Sequence, residues 1–196
     1  MDFYNNRDIQ KNVYYATYGS VRTLPYDIIN KLMTDNEELW KLMKYDNPLG
    51  KDNLSLEEKR SMICTDSINT DRYNVVLQKF SEEAMTSDEG KVFAQMRIQV
   101  LSGYSETPST AKVSVLFQFI VNDKKMLCNT EVTPFDNRAF AMCQNVIDCL
   151  NGKPLSDNKN YLYINDDEDY NGDMKLVTYN KEYSGYILIM STNISD

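Results

Sequence analysis

Val92-Phe93-Ala94-Gln95-Met96-Arg97-Ile98-Gln99-Val100-Leu101, followed after a break by Val113-Ser114-Val115-Leu116-Phe117-Gln118-Phe119-Ile120-Val121, decides the fold. In the first run Val92, Ala94, Met96, Ile98 and Val100 alternate with Phe93, Gln95, Arg97, Gln99 and Leu101. A period of two places alternate side chains on opposite faces of a strand, so the run predicts a half-buried strand with a polar outer face. In the second run Val113, Val115, Phe117, Phe119 and Val121 alternate with Ser114, Leu116, Gln118 and Ile120. Tyr104–Thr110, with Pro108 and small polar residues, reads as the loop between them. Two long strands joined by a short loop form an antiparallel hairpin.

Toward the C-terminus, Asn122-Asp123 turns the chain into an expected third strand over Met126–Thr130. After Pro134 the period lengthens. Ala139, Phe140, Cys143, Val146, Ile147 and Leu150 recur at helical spacing, with Asp136 or Asn137 as the N-cap. Asn151-Gly152 ends that helix, with Pro154 just beyond. Asp157–Asn160 is a polar linker, and strands are expected over Tyr161–Ile164, Met174–Tyr179 and Tyr186–Met190.

Toward the N-terminus, Tyr73–Leu77 reads as a short strand. Ser55-Leu56-Glu57-Glu58 has the spacing of a capping box and opens a helix expected to reach about Cys64. Asp35 or Asn36 caps a helix whose first turn holds Glu37 and Glu38, where negative charge suits the helix dipole. Leu39, Trp40, Leu42 and Met43 form its apolar stripe, and Asn47-Pro48-Leu49-Gly50 ends it as a turn. Tyr26–Thr34 carries Ile28, Ile29, Leu32 and Met33 on one face. Residues 1–25 are polar and rich in Tyr and Asn, with no period, and read as an arm. The expected fold is α+β: an antiparallel β-sheet with a packed C-terminal-side helix, short N-terminal helices and an N-terminal arm. The expected divisions are an arm over 1–25, a core domain over 26–152 and a β-rich extension over 153–196.

The chain has 196 residues, and its Lys+Arg count of 21 against 29 Asp+Glu sets a net charge of −8. Nucleic-acid binding needs a basic face, and the densest basic spot here is Asp123-Lys124-Lys125. Sequence-specific DNA or RNA binding is not expected, and an anionic membrane surface would repel the chain. The sequence has no run of roughly 20 apolar residues and no signal-peptide layout at its start, so a cytoplasmic place of assembly is expected. Cys64, Cys128, Cys143 and Cys149 show no Cys-x-x-Cys spacing and read as free thiols.

Histidine is absent, which removes Ser-His-Asp and Cys-His nucleophiles and most zinc sites. Asp167-x-Asp169-x-Asn171-Gly172 matches the first half of a calcium loop, whose alternate oxygens converge on one cation. The match then fails, because Thr178 stands where a bidentate Glu is needed and a strand follows. The plainer reading is a solvated acidic hairpin with Asn171-Gly172 as its turn. Glu82, Glu83, Asp88 and Glu89 lie in a polar stretch and read as a wet loop. Cys143 falls on an apolar stripe and reads as a packed thiol with no base to activate it. No cofactor is expected. Trp40 reads equally as a core anchor and as a contact with another subunit. Gln95, Arg97 and Gln99 read as a wet strand face, or as the lining of a channel or seam between copies. Tyr14, Tyr15 and Tyr18 are the contact candidates of the arm.

Asn36-Glu37-Glu38-Leu39-Trp40-Lys41-Leu42-Met43-Lys44-Tyr45-Asp46-Asn47-Pro48-Leu49, followed by Leu54-Ser55-Leu56-Glu57-Glu58-Lys59, resembles the opening of tailed-bacteriophage neck proteins. Those begin with a helix ending in a Lys-Leu-Leu-Tyr-Tyr-like run, a short Asp/Pro turn and a second helix. The later pattern is also similar: long strands over Ala94–Gly103 and Lys112–Asn122, then a helix from about Asn137 closing with Ile147-Asp148-Cys149-Leu150-Asn151-Gly152. The resemblance covers residues 26–152 in layout. It implies a helix packed on an antiparallel sheet and assembly into a ring of the head–tail connector, of tail-terminator or head-completion type. It carries over no catalytic residue. Its implied partners are copies of the chain and adjoining portal, neck or tail-tube proteins, in a virion assembled in the host cytoplasm; the net charge of −8 adds the expectation of an acidic channel through which DNA passes without sticking. The arm and the segment after Asn160 are longer than the pattern and leave the neck position open. Two other readings stand beside it: a small cytoplasmic binding module or inhibitor of a host protein, and an enzyme using a divalent metal at Asp167 and Asp169.

Overall fold

The computed structural model describes residues 21–64, 69–77, 90–107, 110–155, 161–164 and 174–195, with the backbone alone for 102–107 and 195. The hairpin read from the sequence is its spine. Strand β2 (Ala94–Thr107) pairs antiparallel with β3 (Thr110–Asn122), from Ala94 opposite Val121 to Thr107 opposite Thr110. The expected loop over Tyr104–Thr110 is therefore mostly strand. Tyr104, Ser105 and Thr107 continue the ladder past register shifts after Val100 and Ser105, as far as Thr107 opposite Thr110. Bulges of this kind let a long ribbon keep pairing while it twists.

The third long strand is β8 (Tyr183–Ser195), which pairs with β3 along its whole length, from Asn122 opposite Tyr183 to Thr110 opposite Ser195. The expected division at 152/153 thus cuts through one sheet, and β8 is a central strand, not an appended one. Short strands complete the sheet. β1 (Val75–Leu77) runs parallel to β2, while β6 (Tyr163–Ile164) and β7 (Met174–Thr178) both pair antiparallel with β8. Gly185 permits the close approach of β8 to β3, since a Cβ there would fall 1.7 Å from the Phe119 carbonyl oxygen.

The expected strand over Met126–Thr130 reduces to β4 (Leu127–Cys128), which follows a 3-10 turn over Asp123–Lys125. It pairs with β5 (Asp136–Asn137) apart from the main sheet. Thr130 is already occupied in holding the loop between them, described below.

One face of the sheet carries Met96, Ile98, Val113, Val115, Phe117, Phe119, Leu188 and Met190, all fully buried. Helix α4 (Arg138–Leu150) packs across β3 and β8 on this face, with Ala139, Met142, Cys143, Val146 and Leu150 turned inward. Asn137, not Asp136, is its N-cap, accepting from the Phe140 amide at 3.0 Å. Gly152 follows its C-cap with φ +66°, the left-handed conformation that glycine adopts without strain. The buried stripe is rotated from the expected one: Met142 and Cys149 are inside, while Phe140 faces outward and meets Tyr186 edge-on at 5.7 Å.

Three further helices cover the same core. α1 occupies residues 21–35, α2 is Glu37–Lys44 and α3 is Leu56–Ser61. The arm reading fails for residues 21–25, because the helix is already formed there and Leu24 is fully buried. Pro25 misled that boundary, although its fixed φ is compatible with a helix. Asn36 caps α2 by accepting from the Leu39 amide at 3.1 Å, and its own amide group donates to the Asn145 carbonyl at 2.7 Å. The capping box between Ser55 and Glu58 is present, but α3 ends at Ser61, short of Cys64. Among the described residues no helix is long and apolar enough to cross a membrane.

Candidate functional site

The sequence-predicted contact residues fall into three groups. Trp40 is fully buried, and its Nε1 donates to the Leu32 carbonyl at 2.9 Å, joining α2 to α1. It is a core anchor and not a surface contact. Gln95 and Arg97 are also buried, which corrects the expected wet face. Gln95 Nε2 donates to the carbonyls of Thr70 and Tyr73 at 2.7 and 2.8 Å, and Arg97 Nε donates to Gln95 Oε1 at 2.7 Å. The segment before β1 lies over this end of the sheet, so a strand of the right period still hides its polar side. Gln99 is half-buried beside Leu116. Tyr14, Tyr15 and Tyr18 lie outside the described residues, as do Asp167, Asp169 and Asn171, and Glu82, Glu83, Asp88 and Glu89. Among the described residues no group of three His, Cys, Asp or Glu side chains is placed to hold a metal ion.

Several buried polar groups prove to be structural ties. Arg138 is fully buried at the start of α4. Its Nε donates to the Lys125 carbonyl at 2.8 Å, Nη1 to the carbonyls of Leu42 and Tyr45, and Nη2 to that of Asp46. The guanidinium also lies 4.9 Å from the centre of the Phe93 ring. It therefore takes up the open carbonyls at the C-terminal end of α2, where a positive charge suits the helix dipole. Burial pulls the Arg138 pKa below its ordinary value, opposed by Cys128 and Asp46. Lys59 works similarly at the other end of α2. Its Nζ donates to the Met33 carbonyl and pairs with Glu37. Asn74 bridges the carbonyls of Met43 and Ala94 at 3.0 and 2.9 Å.

Burial is the main cause of most of the shifts among the titratable groups. The Cys143 thiol is pushed up to about 12 by burial, which holds it as an inert thiol. Burial also raises the thiols of Cys128 and Cys149. The Tyr179 hydroxyl is pushed up to about 12 by burial, against a downward pull from Arg97, and has no hydrogen-bond partner among the described residues. An acidic groove of about 320 Å³ runs between α2 and α4, lined by Asp35, Glu37, Glu38, Asp148 and Lys153. Burial raises Glu38 there, with Lys41 acting against it. Asp35 is lowered by its hydrogen bond from Lys31 at 2.7 Å.

The surface feature that the sequence reading missed is the loop between β4 and β5. Val132 is 90% exposed and Phe135 77% exposed, with Leu127 also exposed beside them. The loop is not slack. Thr130 Oγ1 accepts from the amides of Val132 and Thr133, both at 3.3 Å, and donates to Asp136 Oδ2 at 2.9 Å. Asn129 Oδ1 accepts from the Phe135 amide at 3.4 Å. Phe135 has φ +64°, a left-handed conformation that is rare for a bulky side chain and persists only when its surroundings impose it. The signal was present in Val132 and Phe135, two large apolar residues that belong to no stripe. No family model, curated protein or solved structure matches this chain.

Proposed function

We propose that the chain is a structural subunit that works by binding other subunits, forming a ring in the head–tail connector of a tailed bacteriophage as a tail terminator or head-completion protein. The observation that carries the binding role is the hydrogen-bonded loop displaying Val132 and Phe135 to solvent. Rigid, exposed aromatic and aliphatic anchors lose little entropy on docking and supply the centres of protein interfaces. The ring assignment draws its support from the resemblance over residues 26–152 and from a matching architecture, with α4 packed on a mostly antiparallel sheet and short helices ahead of it. A net charge of −8 suits a channel that lets DNA pass without holding it.

Light scattering coupled to size-exclusion chromatography tests the reading, together with mass spectrometry of intact virions and the order of neighbouring genes. A closed oligomer, found in virions and encoded between portal and tail genes, is the expected result. A strict monomer absent from particles would instead favour the second reading, an inhibitor or adaptor of a host protein, for which the same loop would supply the contact.

A further inference from the structure

Asn151-Gly152 closes α4, and the same pair is the dipeptide in which asparagine cyclises most readily. Glycine has no side chain to shield its amide nitrogen or restrict its backbone, so that nitrogen can attack the side-chain amide carbon of the asparagine before it. The new N–C bond closes a five-membered succinimide, and ammonia leaves. Water then opens the ring at either carbonyl. One water is consumed and one ammonia released, and an aspartyl or an isoaspartyl residue is left. Both Asn151 and Gly152 are exposed, so water reaches them. The fold nevertheless holds the pair in an unreactive geometry. The Gly152 amide donates to the Leu162 carbonyl at 2.8 Å, so the attacking nitrogen keeps its proton in a hydrogen bond. Ring closure requires that nitrogen to eclipse Cβ of Asn151, and at the observed ψ of 117° it stands far from that position. The side-chain amide is engaged as well, with Oδ1 accepting from the Ile164 amide at 3.1 Å. Both hydrogen bonds come from one neighbour, the segment Tyr161–Ile164, which bridges to the helix end at Leu162 opposite Asn151 and at Tyr161 opposite Pro154. That segment places two residues on the sheet, Tyr163 and Ile164 of β6, and is anchored by the buried Leu162.

We propose that Asn151-Gly152 is a latent deamidation site gated by the Tyr161–Ile164 segment. While the segment is docked, the asparagine persists. Each local opening frees the Gly152 amide and the Asn151 side chain together and lets ψ rotate into the reactive range. The isoaspartyl product carries an extra methylene in the main chain between residues 151 and 152. It misaligns Asn151 with Leu162, so the segment cannot redock in register. The aspartyl product keeps a side-chain acceptor for the Ile164 amide. The reaction runs one way, and it marks chains whose junction between α4 and β6 has opened. It is independent of the proposed assembly.

Peptide mapping by mass spectrometry follows loss of the amide at Asn151 in the full chain, separately from Asn171-Gly172, the sequence's other Asn-Gly pair. Samples are aged at mildly alkaline pH with and without denaturing guanidinium. Deamidation at Asn151 is expected to be at least about tenfold slower in the native chain than in the denatured one, a factor that a modest local opening free energy supplies. Leu162→Ala removes the buried anchor of the gating segment and should bring the rate most of the way to the denatured one. Arg138→Met, which loosens the other end of α4, should accelerate it less. If Leu162→Ala does not fold, sub-denaturing guanidinium perturbs the wild-type chain instead, and deamidation should rise in step with hydrogen exchange of the Gly152 amide. Mixed aspartyl and isoaspartyl products identify the cyclic route, because direct hydrolysis gives aspartate alone. Equal native and denatured rates, an aspartyl product alone, equal acceleration by Leu162→Ala and Arg138→Met, or a rate that ignores Gly152 exchange would each overturn the proposal.

Discussion

Replacing Arg138 by Met isolates the tie that holds α2 to α4. The buried guanidinium donates four hydrogen bonds, to the carbonyls of Leu42, Tyr45, Asp46 and Lys125. Methionine fills much of the volume but donates nothing, and backbone carbonyls cannot be mutated away to match it. The usual escape for a buried charge, an apolar replacement of both partners, is therefore closed. At about 1 kcal/mol net per bond, the loss is about 4 kcal/mol, against a total stability of roughly 5–15 kcal/mol for a domain. A chain of this size shifts by roughly 2–4 °C per kcal/mol, so Arg138→Met should melt about 8–16 °C lower. Arg138→Lys keeps the charge but has one ammonium to serve carbonyls spread over the fork, and should lose about half as much. Urea unfolding followed by the fluorescence of Trp40, the single tryptophan, reads both variants. An Arg138→Met protein within about 1 kcal/mol of wild type, with an unchanged denaturant slope, would show that the four bonds contribute nothing net and that the carbonyls find water instead.

Lys59→Met should lose about 3 kcal/mol in the same assay, since it leaves the Met33 carbonyl and Glu37 without their buried donor. Gly185→Ala should lose at least about 2 kcal/mol or fail to fold, because its Cβ would collide with the Phe119 carbonyl oxygen; a soluble variant with wild-type melting would contradict the β3–β8 register. Stability should fall as pH rises above about 9. The Cys143 thiol and Tyr179 hydroxyl titrate near 12 when folded, against 9.0 and 10.0 as ordinary values, so the unfolded chain releases protons first. Cys143→Val with Tyr179→Phe should flatten that fall in alkaline melts, and an unaltered slope would refute the assignment.

The period-two runs around Met96 and Phe117 were legible because sheet burial acts residue by residue along a strand, and the N-cap of α2 and the capping box at Ser55 were legible because they are local hydrogen bonds. Composition also reached far, since the lack of histidine bears on chemistry before any folding is considered. Other features depended on what packs against what. The same polar pattern reads as wet or buried at Gln95 and Arg97, and only the segment over Thr70–Tyr73 decides it. Trp40 was balanced between core and surface until α1 was seen to lie against it. β8 was visible as a strand, yet its place inside the sheet came from pairing with residues about seventy positions away, which no window of sequence contains. Arg138 looked like an ordinary first-turn residue, because the carbonyls it serves belong to another helix. The rigid display of Phe135 is likewise a tertiary fact, since exposure is only what remains after every other contact has been made.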